Sequence, residues 1–62
     1  MYKQVYKDSC GSIAVIDPKG EGVLRLTIKD VGGNTIRDNS YKSFIHALET
    51  IQQNGEGWEQ IG

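Results

Sequence analysis

The stretch Ser40-Tyr41-Lys42-Ser43-Phe44-Ile45-His46-Ala47-Leu48-Glu49-Thr50-Ile51-Gln52-Gln53-Asn54-Gly55 reads as one delimited amphipathic helix. Tyr41, Phe44, Ile45, Leu48 and Ile51 recur at the intervals that gather side chains into a single apolar stripe. Asp38, Asn39 and Ser40 offer side-chain oxygens to the orphan amides at its start. Asn54-Gly55 offers a left-handed stop. Everything before this stretch has the character of strand, so one helix must cover one small sheet.

Working back from the helix, Val23 to Lys29 is the clearest strand. Leu24, Leu26 and Ile28 alternate with Val23, Arg25, Thr27 and Lys29, which puts the two sets on opposite faces. Asp30-Val31-Gly32-Gly33-Asn34 follows as a hairpin loop, and Thr35-Ile36-Arg37 as a short third strand. Ser12-Ile13-Ala14-Val15-Ile16 is a β-branched apolar run and predicts a buried strand. Asp17-Pro18-Lys19-Gly20-Glu21-Gly22 predicts a turn: Asp accepts local amides, Pro presets φ, and glycines permit positive φ. Residues 1–7 alternate weakly, with Tyr2 and Tyr6 on one side and Val5 on the other, and Ser9-Cys10-Gly11 reads as a bend or bulge. The pattern leaves open whether residues 1–11 join the sheet. Residues 56–62 are either a small edge strand or a tail whose Trp58 closes the core.

The expectation is a single α+β domain over residues 1–62. A three- to four-stranded antiparallel sheet packs on one C-terminal helix in the order β-β-β-α, with a possible short terminal strand. Ile13, Val15, Leu24, Leu26, Ile28 and Ile36 are expected to receive Phe44, Ile45, Leu48 and Ile51. The second face of the sheet has no helix to cover it and is free for work.

At 62 residues the chain stands near the lower limit for independent folding. Such a chain hides only about 60% of its extended surface, so association with a partner or a second copy is a common source of added stability. One cysteine and one histidine supply neither a disulfide nor a metal cluster, and no cofactor is expected. Net charge is −1, with a balance of +2 over residues 1–29 and −3 over residues 30–62. A near-neutral chain is not driven toward nucleic acid by its overall field. The lone cysteine, the absence of an apolar leader and the absence of an 18-residue apolar run predict a cytoplasmic protein that avoids membranes.

Chemistry-bearing residues are few. Arg25, Thr27 and Lys29 share the uncovered sheet face, with Arg37 expected to join them from the next strand. Such a set suits phosphate contacts, or is simply a solvated outer face. Tyr2, Tyr6, Tyr41 and Trp58 are many aromatics for so short a chain, and aromatics anchor protein interfaces. Tyr6 is expected on an edge strand that meets a partner. His46 lies off the helix stripe beside Lys42 and Glu49, and reads as a surface histidine; Cys10 has no signature of a nucleophile around it. The glycine-rich segments 19–22 and 31–34 lack the spacing and following helix of a phosphate loop. An enzyme is therefore not expected.

Two resemblances bear on function. The order of three strands and a helix over residues 12–53 resembles the arm-type DNA-binding domains of phage and transposon integrases, which implies a three-stranded sheet laid into the major groove. Tyr41-Lys42-Ser43-Phe44, Ala47-Leu48 and Gly57-Trp58-Glu59 look like the compact ends of small phage or prophage proteins, a class that includes anti-CRISPR inhibitors. The leading expectation is a non-enzymatic module that binds a protein partner as a phage or mobile-element regulator or inhibitor. It would act by occlusion through the free sheet face or an edge strand, with Tyr6, Arg25, Lys29 and Trp58 as contacts. The alternative is nucleic-acid binding through Arg25, Thr27, Lys29 and Arg37, and a self-assembling homodimer is a third possibility.

Overall fold

A computed structural model describes residues 2–62. Met1, the first residue of the weakly alternating N-terminal stretch, lies outside the described residues. The elements are β1 (Gln4–Lys7), β2 (Ile13–Gly20), β3 (Val23–Lys29), β4 (Thr35–Tyr41), α1 (Phe44–Gln52) and β5 (Glu59–Gln60). The strands form one antiparallel sheet in the order β4-β3-β2-β1-β5, and the helix packs over β3 and β4. The expected α+β class, the single helix after the main strands and the short terminal strand are all present. The open question at the N-terminus resolves in favour of a strand, β1.

The hairpin between β2 and β3 decides which side chains reach the core. Gly20 pairs with Val23 across a two-residue loop in which Glu21 and Gly22 both take positive φ (55° and 76°). This is the primed turn whose twist matches a hairpin. The register then slips: Pro18 pairs with Leu24, leaving Lys19 as an extra residue. One extra residue carries every preceding side chain of β2 to the opposite face. Ala14 therefore lies opposite Ile28 and Ile16 opposite Leu26, all four with no exposed surface. Ile13 and Val15, expected in this core, instead face the uncovered side with Lys29 and Thr27. The strand also runs through Asp17 and Pro18, which were expected to form the turn. Pro18 is tolerated because β1 pairs only with residues 13–16, so β2 is an edge at that point.

β4 likewise runs further than its composition suggests. Asp38, Asn39 and Ser40, expected as helix caps, pair with Thr27, Leu26 and Arg25, and Tyr41 pairs with Leu24 and packs on the core. A second bulge, at Ile36, separates the Ile28–Arg37 and Lys29–Thr35 pairs. Ile36, expected in the core, is 50% exposed there.

The helix consequently starts one turn later. Ser43 is its N-cap, with Oγ accepting from the His46 amide at 3.3 Å. The inward stripe is Phe44, Ala47, Leu48 and Ile51, joined by Thr50, whose hydroxyl donates to the His46 carbonyl. Ile45, about 100° around the helix from Phe44, is 69% exposed rather than buried. The helix closes at Gln53 in right-handed conformation, and the Asn54 side-chain amide donates to the Thr50 carbonyl at 2.7 Å. Gly55 thus does not serve as a left-handed stop. It is needed for close approach: a Cβ there would sit 2.6 Å from Asp8 Oδ2 and 3.1 Å from the Trp58 indole.

The seven buried apolar residues are Ala14, Ile16, Leu24, Leu26, Ile28, Ala47 and Ile51, rimmed by Tyr6, Tyr41, Phe44, Leu48 and Trp58. Asp8 is also buried. Its Oδ1 accepts from the amides of Cys10 (3.0 Å) and Ser12 (2.7 Å), which fastens the turn between β1 and β2.

Candidate binding face

The uncovered side of the sheet is the largest surface left without a covering layer. Cross-strand pairing arranges it in rows, because directly opposite residues share a face. One row runs Glu59, Lys7, Ile13, Lys29 and Thr35. The next runs Val5, Val15, Thr27 and Asp38, and a third Asp17, Arg25 and Ser40. The middle of this face is thus β-branched and largely apolar, with charge toward the edges.

A depression of about 570 Å³ opens over this centre, floored by Ile13, Val15 and Thr27 and walled by the turns that carry Gly11 and Val31. The wall is tight, since a Cβ on Gly11 would lie 3.3 Å from Val31 Cγ2. Val31 is 79% exposed, an apolar side chain held out beside an apolar floor. The turn that holds it is rigidified by Asp30, whose carboxylate accepts from the Gly32 and Asn34 amides (both 2.9 Å) and from the Asn34 side chain. The Asn34 amide, the foremost of these donors, holds the Asp30 carboxyl below its ordinary pKa.

The charged groups differ in how far they are already engaged. Arg25 makes a two-pronged ion pair with Asp38, Nε to Oδ1 at 2.9 Å and Nη2 to Oδ2 at 2.7 Å. The hydrogen bond from Arg25 lowers the Asp38 pKa, and the same bond raises that of Arg25. Lys19 is paired with Asp17 at 3.0 Å. Lys7 and Lys29 make no ion pair among the described residues.

The residues singled out from the sequence divide between the two sides of the sheet. Arg25, Thr27 and Lys29 share the uncovered face as expected. Arg37 does not join them, because it pairs with Ile28 and lies on the helix side, with a guanidinium nitrogen 3.4 Å from the Asn39 side-chain oxygen. Tyr6 pairs with Ala14 and packs against the core, where burial raises its pKa and its hydroxyl donates to the Gln4 side chain. Trp58 also packs against the core, with its Nε1 buried and without a partner. The expected contact set Tyr6, Arg25, Lys29 and Trp58 therefore does not form one surface. Val5, Ile13, Val15 and Val31 were not among the expected contacts, and the bulge at Lys19 is the feature that brings two of them to this face.

Edges and isolated groups offer less. The outer edge of β1, expected to meet a partner, is covered by the C-terminal segment: Ile61 donates to the Val5 carbonyl at 2.8 Å, and the Val5 amide donates to Gly62. The outer edge of β4 is free but bulged at Ile36 and studded with Arg37 and Asp38, features that discourage strand addition. Cys10 is exposed, and His46 is exposed with its ring edge-on to Tyr41 at 5.1 Å. No group of three or more potential metal ligands clusters among the described residues, and no helix there is long and apolar enough to cross a membrane.

No protein-family model matches this sequence, and no curated protein or solved structure is significantly similar to it. The five-stranded sheet also departs from the three strands that the integrase resemblance implied.

Proposed function

We propose that this chain is a non-enzymatic binding module that engages a protein partner through the uncovered face of its sheet. It would act by occluding the partner's surface, in the manner expected of a small regulator or inhibitor borne by a phage or mobile element. One observation carries the reading. The face opposite the helix has an apolar, β-branched centre at Val5, Ile13, Val15 and Thr27, beside the outstretched Val31. A solvated outer face alternates polar side chains outward, whereas apolar patches rimmed by polar residues mark association sites. Nucleic-acid binding has weaker support, since Arg25 is engaged by Asp38 and Arg37 lies on the other side.

The test is parallel capture from a bacterial lysate by the wild-type chain and by Val15→Asp, with and without nuclease. A protein retained by the wild type after nuclease and lost with Val15→Asp supports the reading, provided that the variant keeps a folded amide spectrum. Retention that vanishes with nuclease contradicts it in favour of DNA or RNA. Equal capture by both chains removes this face from consideration.

A further inference from the structure

The depression over Ile13 also carries information about what fills it. About 570 Å³ is within the range of pockets that accept a large side chain or a small ligand. Its floor is hydrocarbon from Ile13 and Val15, with the Thr27 side chain beside them, so the group that enters is apolar. The electrostatics of the rim follow from which charges remain unspent. The Asp30 carboxylate is consumed by its own turn, and Asp38 and Asp17 by Arg25 and Lys19. Lys29, in the lining itself, and Lys7 have no ion-pair partner among the described residues. Glu59, the other free charge on this face, stands beyond Lys7 at the β5 edge and away from the depression.

Lys7 and Lys29 flank Ile13 from the two adjacent strands. Their backbones are two strand spacings apart, about 10 Å, which an extended segment crosses in about three residues. Resting on the protein-binding reading above, we infer that the partner contributes an acidic segment with one aliphatic or aromatic anchor. The anchor fills the depression, and carboxylates on either side of it pair with Lys7 and Lys29. The attraction is local to this end of the face, because the chain as a whole carries a net charge of −1.

The probe is an unbiased display library of random 12-residue peptides, selected on the wild-type chain and depleted on the double variant Lys7→Glu/Lys29→Glu. Both positions are exposed, so the variant is expected to fold, and its amide spectrum checks this. The expected result is enrichment of peptides with Asp or Glu within about three residues of Phe, Leu or Ile. These should bind the charge-reversed variant about tenfold more weakly or worse and shift the amide signals of Ile13, Val15 and Thr27. Enriched peptides that are neutral or basic, and that bind both chains equally, overturn the partner class while leaving a binding module in place. Enriched peptides that shift signals elsewhere overturn both readings. An empty selection overturns the acidic-segment proposal, and the lysate comparison then decides the module reading alone.

Discussion

Val15 and Ile16 are neighbours in one strand and similar in chemistry, yet Ile16 has no exposed surface and Val15 opens onto the uncovered face. The difference lies in what stands opposite each. Ile16 meets Leu26 beneath the helix, and Val15 meets Thr27 with no layer above it. Both faces of the sheet are rich in β-branched side chains, but only one has been spent on folding. Burial of a Val or Ile side chain is worth about 1.5–3 kcal/mol, so in a domain this small a bare apolar centre leaves out stability that a covering layer would add. The covered face accounts for the fold, and the uncovered face for association.

That contrast breaks most sharply at the core. Leu26→Ala removes a fully buried side chain from under the helix and should cost about 2–5 kcal/mol. A loss of that size unfolds much of a 62-residue domain, visible as a lower urea midpoint followed by Trp58 fluorescence. Next comes the junction that ties the C-terminal segment to the sheet. Gly55→Ala drives a methyl group against Asp8 Oδ2 and the Trp58 ring, with a cost of about 1–3 kcal/mol by the same measurement. Asp8→Ala leaves the Cys10 and Ser12 amides without their acceptor, an effect of similar size, about 1–3 kcal/mol. On the uncovered face, Val15→Thr keeps a β-branched side chain and gives its hydroxyl access to water, so its cost should be about 1 kcal/mol or less.

The smallest effect concerns protons. Hydrogen bonds lower the folded-state pKa of Asp30 and of Asp38. A depressed carboxylate contributes stability that is present above its unfolded pKa and is lost as pH falls through its folded value. Both groups are exposed to solvent screening. Asp30→Asn and Asp38→Asn should therefore leave the urea midpoint at pH 7 little changed and flatten its decline on acidification, which urea melts at a series of pH values would show.

The alternation Leu24, Leu26, Ile28 was legible as written, because polar residues separate the apolar ones and fix the face. The run Ile13-Ala14-Val15-Ile16 has no such punctuation, so its face depends on the hairpin register. An unbulged two-residue turn at Glu21-Gly22 would place Val15 opposite Ile28, which is the expected core. The extra residue at Lys19 reverses this, and the only local sign of it is Pro18, which cannot donate to a ladder. Asp38-Asn39-Ser40 misled in a similar way. Their side chains suit a helix cap, but pairing with β3 and the Arg25–Asp38 contact hold them in a strand. For the candidate site, Arg25 and Lys29 were readable from period-two spacing. The neutralisation of Arg25 was not, because it depends on a residue 13 positions away.

The most direct measurement is made on one variant, Ile13→Thr/Val15→Thr, by urea denaturation and by capture of the nuclease-resistant partner in parallel. The account predicts a urea midpoint far closer to wild type than that of Leu26→Ala, together with loss of the partner. A midpoint that falls as far as Leu26→Ala, or full capture by a stable variant, would contradict the division of labour between the two faces.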